Sequence, residues 1–114
     1  LVVDAKRHAA YYTLTREDQK NFNFIKGDAE GIVNMPLQIK GLRLSISLRE
    51  DTEKPNLVMV SLRSVDDFPC NLMAADFFNG GGHLNASGGK LHCTMEEAVK
   101  VVERALLAYE DKLK

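Results

Sequence analysis

The sequence predicts an α/β domain, a compact mixed β-sheet of about five strands with helices packed on it. Three observations carry this expectation. Residues 42–48, Leu-Arg-Leu-Ser-Ile-Ser-Leu, alternate apolar and polar side chains, the period-two pattern of a strand with one buried face. Met95, Ala98, Val99, Val102, Ala105, Leu106, Tyr109 and Leu113 instead recur at steps of three and four, an apolar stripe that faces a sheet. Strand-like and helix-like segments also follow one another along the chain, with no repeat, low-complexity tract or internal linker between them.

Taken in order, residues 8–14 are expected to form a strand, His-Ala-Ala-Tyr-Tyr-Thr-Leu. Thr15-Arg16-Glu17-Asp18 has a capping-box pattern and opens a short helix that ends near Asn21 to Asn23. Asp28 to Met35 reads as a second short helix, closed because Pro36 disfavours the helical region at Met35. The alternating strand 42–48 follows, then a polar turn from Glu50 to Asn56, then a strand from Leu57 to Ser64 that pairs with it as a hairpin. In this second strand Val58, Val60 and Leu62 share one face, and Leu57, Met59, Ser61 and Arg63 share the other. Apolar residues on both faces mark a central strand. Asn71 to Asn79 is expected to be helical, with Leu72, Met73, Ala75, Phe77 and Phe78 giving a broad apolar surface. Residues 79–89 read as a glycine loop, and Lys90-Leu91-His92-Cys93 as a short strand. Thr94-Met95-Glu96-Glu97 is a second capping box and starts the last helix.

Composition narrows the function. At 114 residues the chain, 1–114, is one domain. The formal net charge of −1 leaves no bulk positive field for nucleic acid, so any phosphate recognition has to be local. No apolar run approaches the roughly 18–20 residues of a membrane span, and the first residues lack a basic segment followed by an apolar one. Cys70 and Cys93 alone make no disulfide framework, so a cytoplasmic location is the expectation.

The stretch Asn79-Gly80-Gly81-Gly82-His83-Leu84-Asn85-Ala86-Ser87-Gly88-Gly89 holds five of the eight glycines. Glycine costs backbone entropy and buries no side chain, so such clustering needs a cause: positive φ or close approach to a ligand. Exposed N–H groups beside a histidine suit a phosphate or another oxyanion. The plain alternative is a flexible surface connection. His83 is a candidate phosphate contact, proton donor or metal ligand, since nothing next to three glycines would pack around it as core. Arg63 and Ser64 end the central strand, where ligands gather in α/β sheets, and a guanidinium offers a planar fork for phosphate oxygens. Its alternative role is an ion pair with Asp66 or Asp67. Those two aspartates read as solvated turn acids. Cys70, His83, His92 and Cys93 lack zinc-ligand spacing, and Ser87 has no triad around it, so its hydroxyl is expected to bond loop backbone.

Residues Phe78 to Gly88 closely resemble the C-terminal signature of the DHH phosphoesterase superfamily, the DHH-associated domain with its pattern Gly-Gly-Gly-His-x-x-Ala-(Ala/Ser)-Gly. Gly27-Asp28-Ala29-Glu30-Gly31-Ile32-Val33-Asn34 with Pro36-Leu37-Gln38-Ile39-Lys40-Gly41, and Val60-Ser61-Leu62-Arg63-Ser64, are similar to the oligoribonuclease and pAp-phosphatase type. The resemblance covers roughly residues 8–110, and these three segments carry it in the right order.

The resemblance implies the substrate-binding lobe of a two-lobed, manganese-dependent phosphoesterase. In that family a preceding lobe carries an Asp-His-His motif and spaced aspartates for two manganese ions, and it performs the hydrolysis. Neither feature occurs in this chain, which is therefore expected to be an excised lobe, inactive alone and completed by the catalytic lobe in cis. By analogy, Arg63 and Ser64 contact substrate phosphate or sugar. Gly80, Gly81 and Gly82 present N–H groups and leave room, His83 contacts the phosphate, and Asn85 and Ser87 shape the loop or touch substrate. The expected ligands are short RNA oligonucleotides or 3′-phosphoadenosine 5′-phosphate (pAp). Related domains occur in exopolyphosphatases, cyclic-dinucleotide phosphodiesterases and alanyl-tRNA synthetases, so a non-catalytic nucleic-acid-binding appendage is the alternative.

Overall fold

In a computed structural model of the chain, residues 2–4, 8–15, 17, 41–51 and 53–113 are described, with backbone alone at 2–4. They form six strands and three helices in the order β1 (Val2–Asp4), β2 (Ala9–Leu14), β3 (Leu44–Glu50), β4 (Val58–Ser64), α1 (Cys70–Phe77), β5 (Gly81–His83), β6 (Ala86–Leu91), α2 (Met95–Ala108) and α3 (Glu110–Leu113). The expected α/β architecture holds. The helices expected from Thr15 and from Asp28, apart from Thr15 and Glu17 themselves, lie outside the described residues.

The sheet order is β1-β2-β3-β4-β6-β5. β2 runs parallel to β3 and every other neighbouring pair is antiparallel, so the sheet is mixed. β3 and β4 form the expected hairpin, with Leu44 opposite Ser64 and Glu50 opposite Val58. Their alternation is visible in burial. Leu44, Ile46 and Leu48 are fully buried on the helix side, as are Val58 and Leu62, with Val60 nearly so. Met73, Ala74 and Phe78 of the α1 region and Ala98, Val102, Ala105 and Leu106 of α2 complete this core. Ser45 and Ser47, on the other side of β3, are also closed off from solvent.

The Thr94 cap forms as the sequence requires. Thr94 Oγ1 accepts from the Glu97 N–H at 3.2 Å, and Glu97 Oε1 accepts from the Thr94 N–H at 3.2 Å. Beyond α2, Tyr109 sets its ring edge-on to Phe68 and Phe77, and its hydroxyl donates to Asp76. No helix among the described residues is long and apolar enough to cross a membrane.

One expectation needs correction. The glycine segment is not a loop but a hairpin. β5 and β6 pair antiparallel, His83 facing Ala86, around a two-residue turn at Leu84-Asn85. The strand expected at 90–93 accordingly starts at Ala86 and ends at Leu91, leaving His92 and Cys93 outside it.

Candidate functional site

β4 carries its two faces into different surroundings. Val58, Val60 and Leu62 enter the core, so Ser61 and Arg63 project from the opposite side. Register extends that side across three strands. Arg63 faces Ala86, which faces His83; Ser61 faces Gly88, which faces Gly81. Directly opposed residues share a face, so Arg63 and His83 project from one side of the sheet with only Ala86 between them. An open hollow of about 300 Å³ lies there, lined by Ser61 and Arg63 of β4, Gly81 and Gly82 of β5 and the Ala86–Gly88 stretch of β6. His83 stands at its margin, exposed.

The glycines divide by cause. A Cβ at Gly80 would lie 1.9 Å from the Gly88 carbonyl oxygen, and one at Gly89 would lie 2.0 Å from the Phe78 carbonyl oxygen, so two backbones cross here with no room for a side chain. Gly82 has φ +148°, a conformation that L side chains rarely adopt, and its Cβ would meet the Ala86 oxygen at 2.7 Å. Gly81 is different. Its φ is not positive, and nothing lies within 4 Å of a Cβ placed there. Packing does not require that glycine, and the space it leaves open is the hollow.

Arg63 lies along the backbone, its Nη1 donating to the Leu62 oxygen at 2.8 Å and to the Ser87 oxygen at 3.4 Å. Asp67 is engaged elsewhere: its carboxylate pairs with Arg43 at 2.5 Å. Arg43 also donates to the Lys112 carbonyl at 3.0 Å, tying this corner to the end of the chain.

Ser64 and Ser87 stand one residue out of phase with Arg63 and Gly88, so both hydroxyls turn to the helix side. Ser64 is buried, and its Oγ lies 2.8 Å from the Phe68 oxygen and 3.2 Å from the Leu84 oxygen. Ser87 Oγ donates to Cys70 Sγ at 3.2 Å, and only its backbone borders the hollow. Their hydroxyls therefore support the site from behind instead of reaching into it. Asn85 takes the loop-shaping role, its Nδ2 donating to Ser64 Oγ at 3.0 Å and to the Asp66 oxygen at 3.2 Å. Gly80 sits behind the hollow in the backbone crossing, not in its lining. Sequence reasoning overlooked Ser61 and Gly88. Strand parity would have found Ser61, two residues from Arg63 on the same face.

No group of three or more His, Cys, Asp or Glu side chains among the described residues is arranged to hold a metal. Cys70 is buried behind β6. Burial, and then the Glu97 carboxylate, push the Cys93 thiol above its ordinary pKa, away from the thiolate that reacts or ligates.

Comparison with known proteins identifies the family and bears out the fold. The family model described as the DHHA1 domain matches residues 7–108. An exopolyphosphatase-related protein from Bacteroides fragilis is 57% identical and superposes with a TM-score of 0.90. The alignment covers 97% of this chain but 32% of that one, so the chain spans about a third of its relative's length. A pGpG-specific phosphodiesterase from Vibrio cholerae shares the fold, with 18% identity, a TM-score of 0.62 and coverage of 95% and 34%. The C-Ala domain of alanyl-tRNA synthetase from Aquifex aeolicus does so at 14% identity and 0.52, with coverage of 86% and 89%. A search of curated protein sequences finds no match.

Proposed function

The chain belongs to the DHHA1 domain family, the accessory domain of DHH-family phosphoesterases, and from that membership we propose that it is a substrate-binding lobe. It grips the nucleotide or phosphate portion of a short RNA, of pAp or of a related phosphoester, and presents it to a manganese-binding lobe that hydrolyses it. The observation that carries this reading is the empty space over Gly81, on the face shared by Arg63 and His83. A tight fold that leaves one glycine without a packing reason leaves that room for something else.

The role of each group follows from its chemistry. Arg63 supplies a fixed positive charge, and a phosphate takes stronger hydrogen bonds from it than the Leu62 and Ser87 carbonyls do. His83 donates an imidazole N–H from the margin. β5 has β6 on one side and no described strand on the other, so its outer edge offers main-chain donors. Ser61 and Ala86, with small side chains, and Gly88, with none, line a floor on which a sugar or base can rest. These groups bind and orient; none is placed to attack a phosphorus atom. In the complete enzyme the companion lobe would hold two manganese ions, whose chemistry there would be to activate water, and no step through a metal is assigned to this chain. The near-neutral charge favours short substrates, because tracking a long duplex calls for a broad basic face.

Calorimetric titration of the chain with pAp, a diribonucleotide and a short polyphosphate tests the reading. One of these should bind, and Arg63→Ala should weaken it. Lack of binding by all three, or equal binding by Arg63→Ala and Gly81→Val, would remove its basis. Hydrolysis by the full-length protein in manganese then ranks the substrates.

A further inference from the structure

The two anion-binding groups proposed above stand on strands that do not touch. Arg63 is on β4 and His83 on β5, with β6 between them. Two strand spacings separate their backbones, about 10 Å. The glycine hairpin alone would hold that spacing poorly, because glycine strands lack the side-chain packing that stiffens a sheet. A separate set of bonds ties the hairpin tip directly to the exit of β4. The Ser64 N–H donates to the Asn85 oxygen at 3.0 Å, and the Cys70 N–H donates to the Leu84 oxygen at 3.0 Å. The Ser64 hydroxyl lies between the Phe68 and Leu84 oxygens, at 2.8 and 3.2 Å, and accepts from Asn85 Nδ2 at 3.0 Å. Asn85 Nδ2 also reaches the Asp66 oxygen at 3.2 Å. Both carbonyls of the turn are thus held: the Ser64 bond carries the β4–β6 register one step past Arg63 and Ala86, and the Cys70 bond, with those of the Ser64 hydroxyl and the Asn85 amide, adds ties outside the sheet ladder.

We infer that Ser64 and Asn85 are positioning residues for ligand binding. They touch no ligand themselves. They fasten the Leu84-Asn85 turn to the β4 exit, so that His83 and Arg63 are presented at one spacing, suited to two anionic groups of a single small ligand. This inference rests on the binding role proposed above.

The test pairs hydrogen exchange with titration of the 114-residue chain by whichever of pAp, a diribonucleotide and a short polyphosphate binds it. Ser64→Ala removes the buried hydroxyl. Asn85→Ala removes the donor at an exposed position without adding a charge beside the anion site. Ser64→Thr restores a hydroxyl. In Ser64→Ala and Asn85→Ala, amide exchange at residues 83–85 should rise about tenfold while the α2 amides keep their protection. Affinity for that probe should fall roughly five- to tenfold, and Ser64→Thr should recover most of both. Wild-type affinity in the loosened variants, or unchanged exchange at the turn, would overturn the inference. A wild-type chain that binds none of pAp, a diribonucleotide and a short polyphosphate, with exchange responding as expected, would overturn the binding role and the positioning role with it, and leave the latch as a feature of the fold alone.

Discussion

On one side of β4, Val58, Val60 and Leu62 are enclosed by α1, α2 and their neighbours; on the other, Ser61 and Arg63 look across Ala86 and Gly88 toward Gly81 and His83. The same seven-residue strand serves both surfaces. The helix side is filled with large apolar groups, and removing atoms there costs stability. The open side is kept small and polar, and adding atoms there should cost binding instead. The contrast teaches that folding and recognition are separated by strand parity, one residue at a time, so substitutions at adjacent positions should report on different properties.

That separation can be tested from its strongest effect downward. Leu62→Ala should lower stability by about 2–5 kcal/mol, the range for a fully buried leucine, seen as a fall in the urea midpoint. Its neighbour Arg63→Ala should leave the midpoint nearly unchanged and weaken ligand affinity by about 1.5–3 kcal/mol. If both variants lose mainly stability, the two faces are not distinct. Gly81→Val should cut affinity at least about tenfold, or roughly 1.4 kcal/mol, with α2 still folded. Gly80→Val should instead disrupt the hairpin, because its Cβ would lie 1.9 Å from a carbonyl oxygen. Thr94→Ala should cost about 1 kcal/mol of stability and no affinity.

The smallest effect is a pH dependence confined to the helix side. Burial, and then the Asp76 carboxylate that accepts its hydroxyl hydrogen, push the Tyr109 pKa from 10.0 up to about 12. The folded state therefore holds that proton more tightly than the unfolded one. Its contribution is complete below pH 10 and is lost as pH rises through 12. Alkaline unfolding followed by circular dichroism should lose this dependence in Tyr109→Phe.

Elements with a strong side-chain period were legible in the sequence. The Leu42–Leu48 alternation located β3 within two residues, the Leu57–Ser64 run located β4, and Thr94 with its apolar stripe located α2. The β5–β6 hairpin was not legible as strand. Its glycines carry no alternation, and the Leu84-Asn85 turn is not one of the Asn-Gly or Asp-Gly pairs that announce a tight hairpin; neither residue has positive φ. The glycine motif drew attention to the right place while concealing its shape. Among the site residues, Arg63, Gly81 and His83 share one face of the sheet by register, and Gly82 borders the hollow beside them. Ser64 and Ser87 were grouped with them by proximity in sequence, where period two sends their hydroxyls to the other side.

Both margins of the described sheet are strands of only three residues, Val2–Asp4 and Gly81–His83. An unpaired β border invites other chains to stack against it, and the hazard grows with its length. A border this brief can offer its amides to a small ligand yet is too short to template self-assembly. Among the described residues, the sheet thus keeps a bare main-chain rim while limiting the length open to edge-to-edge pairing.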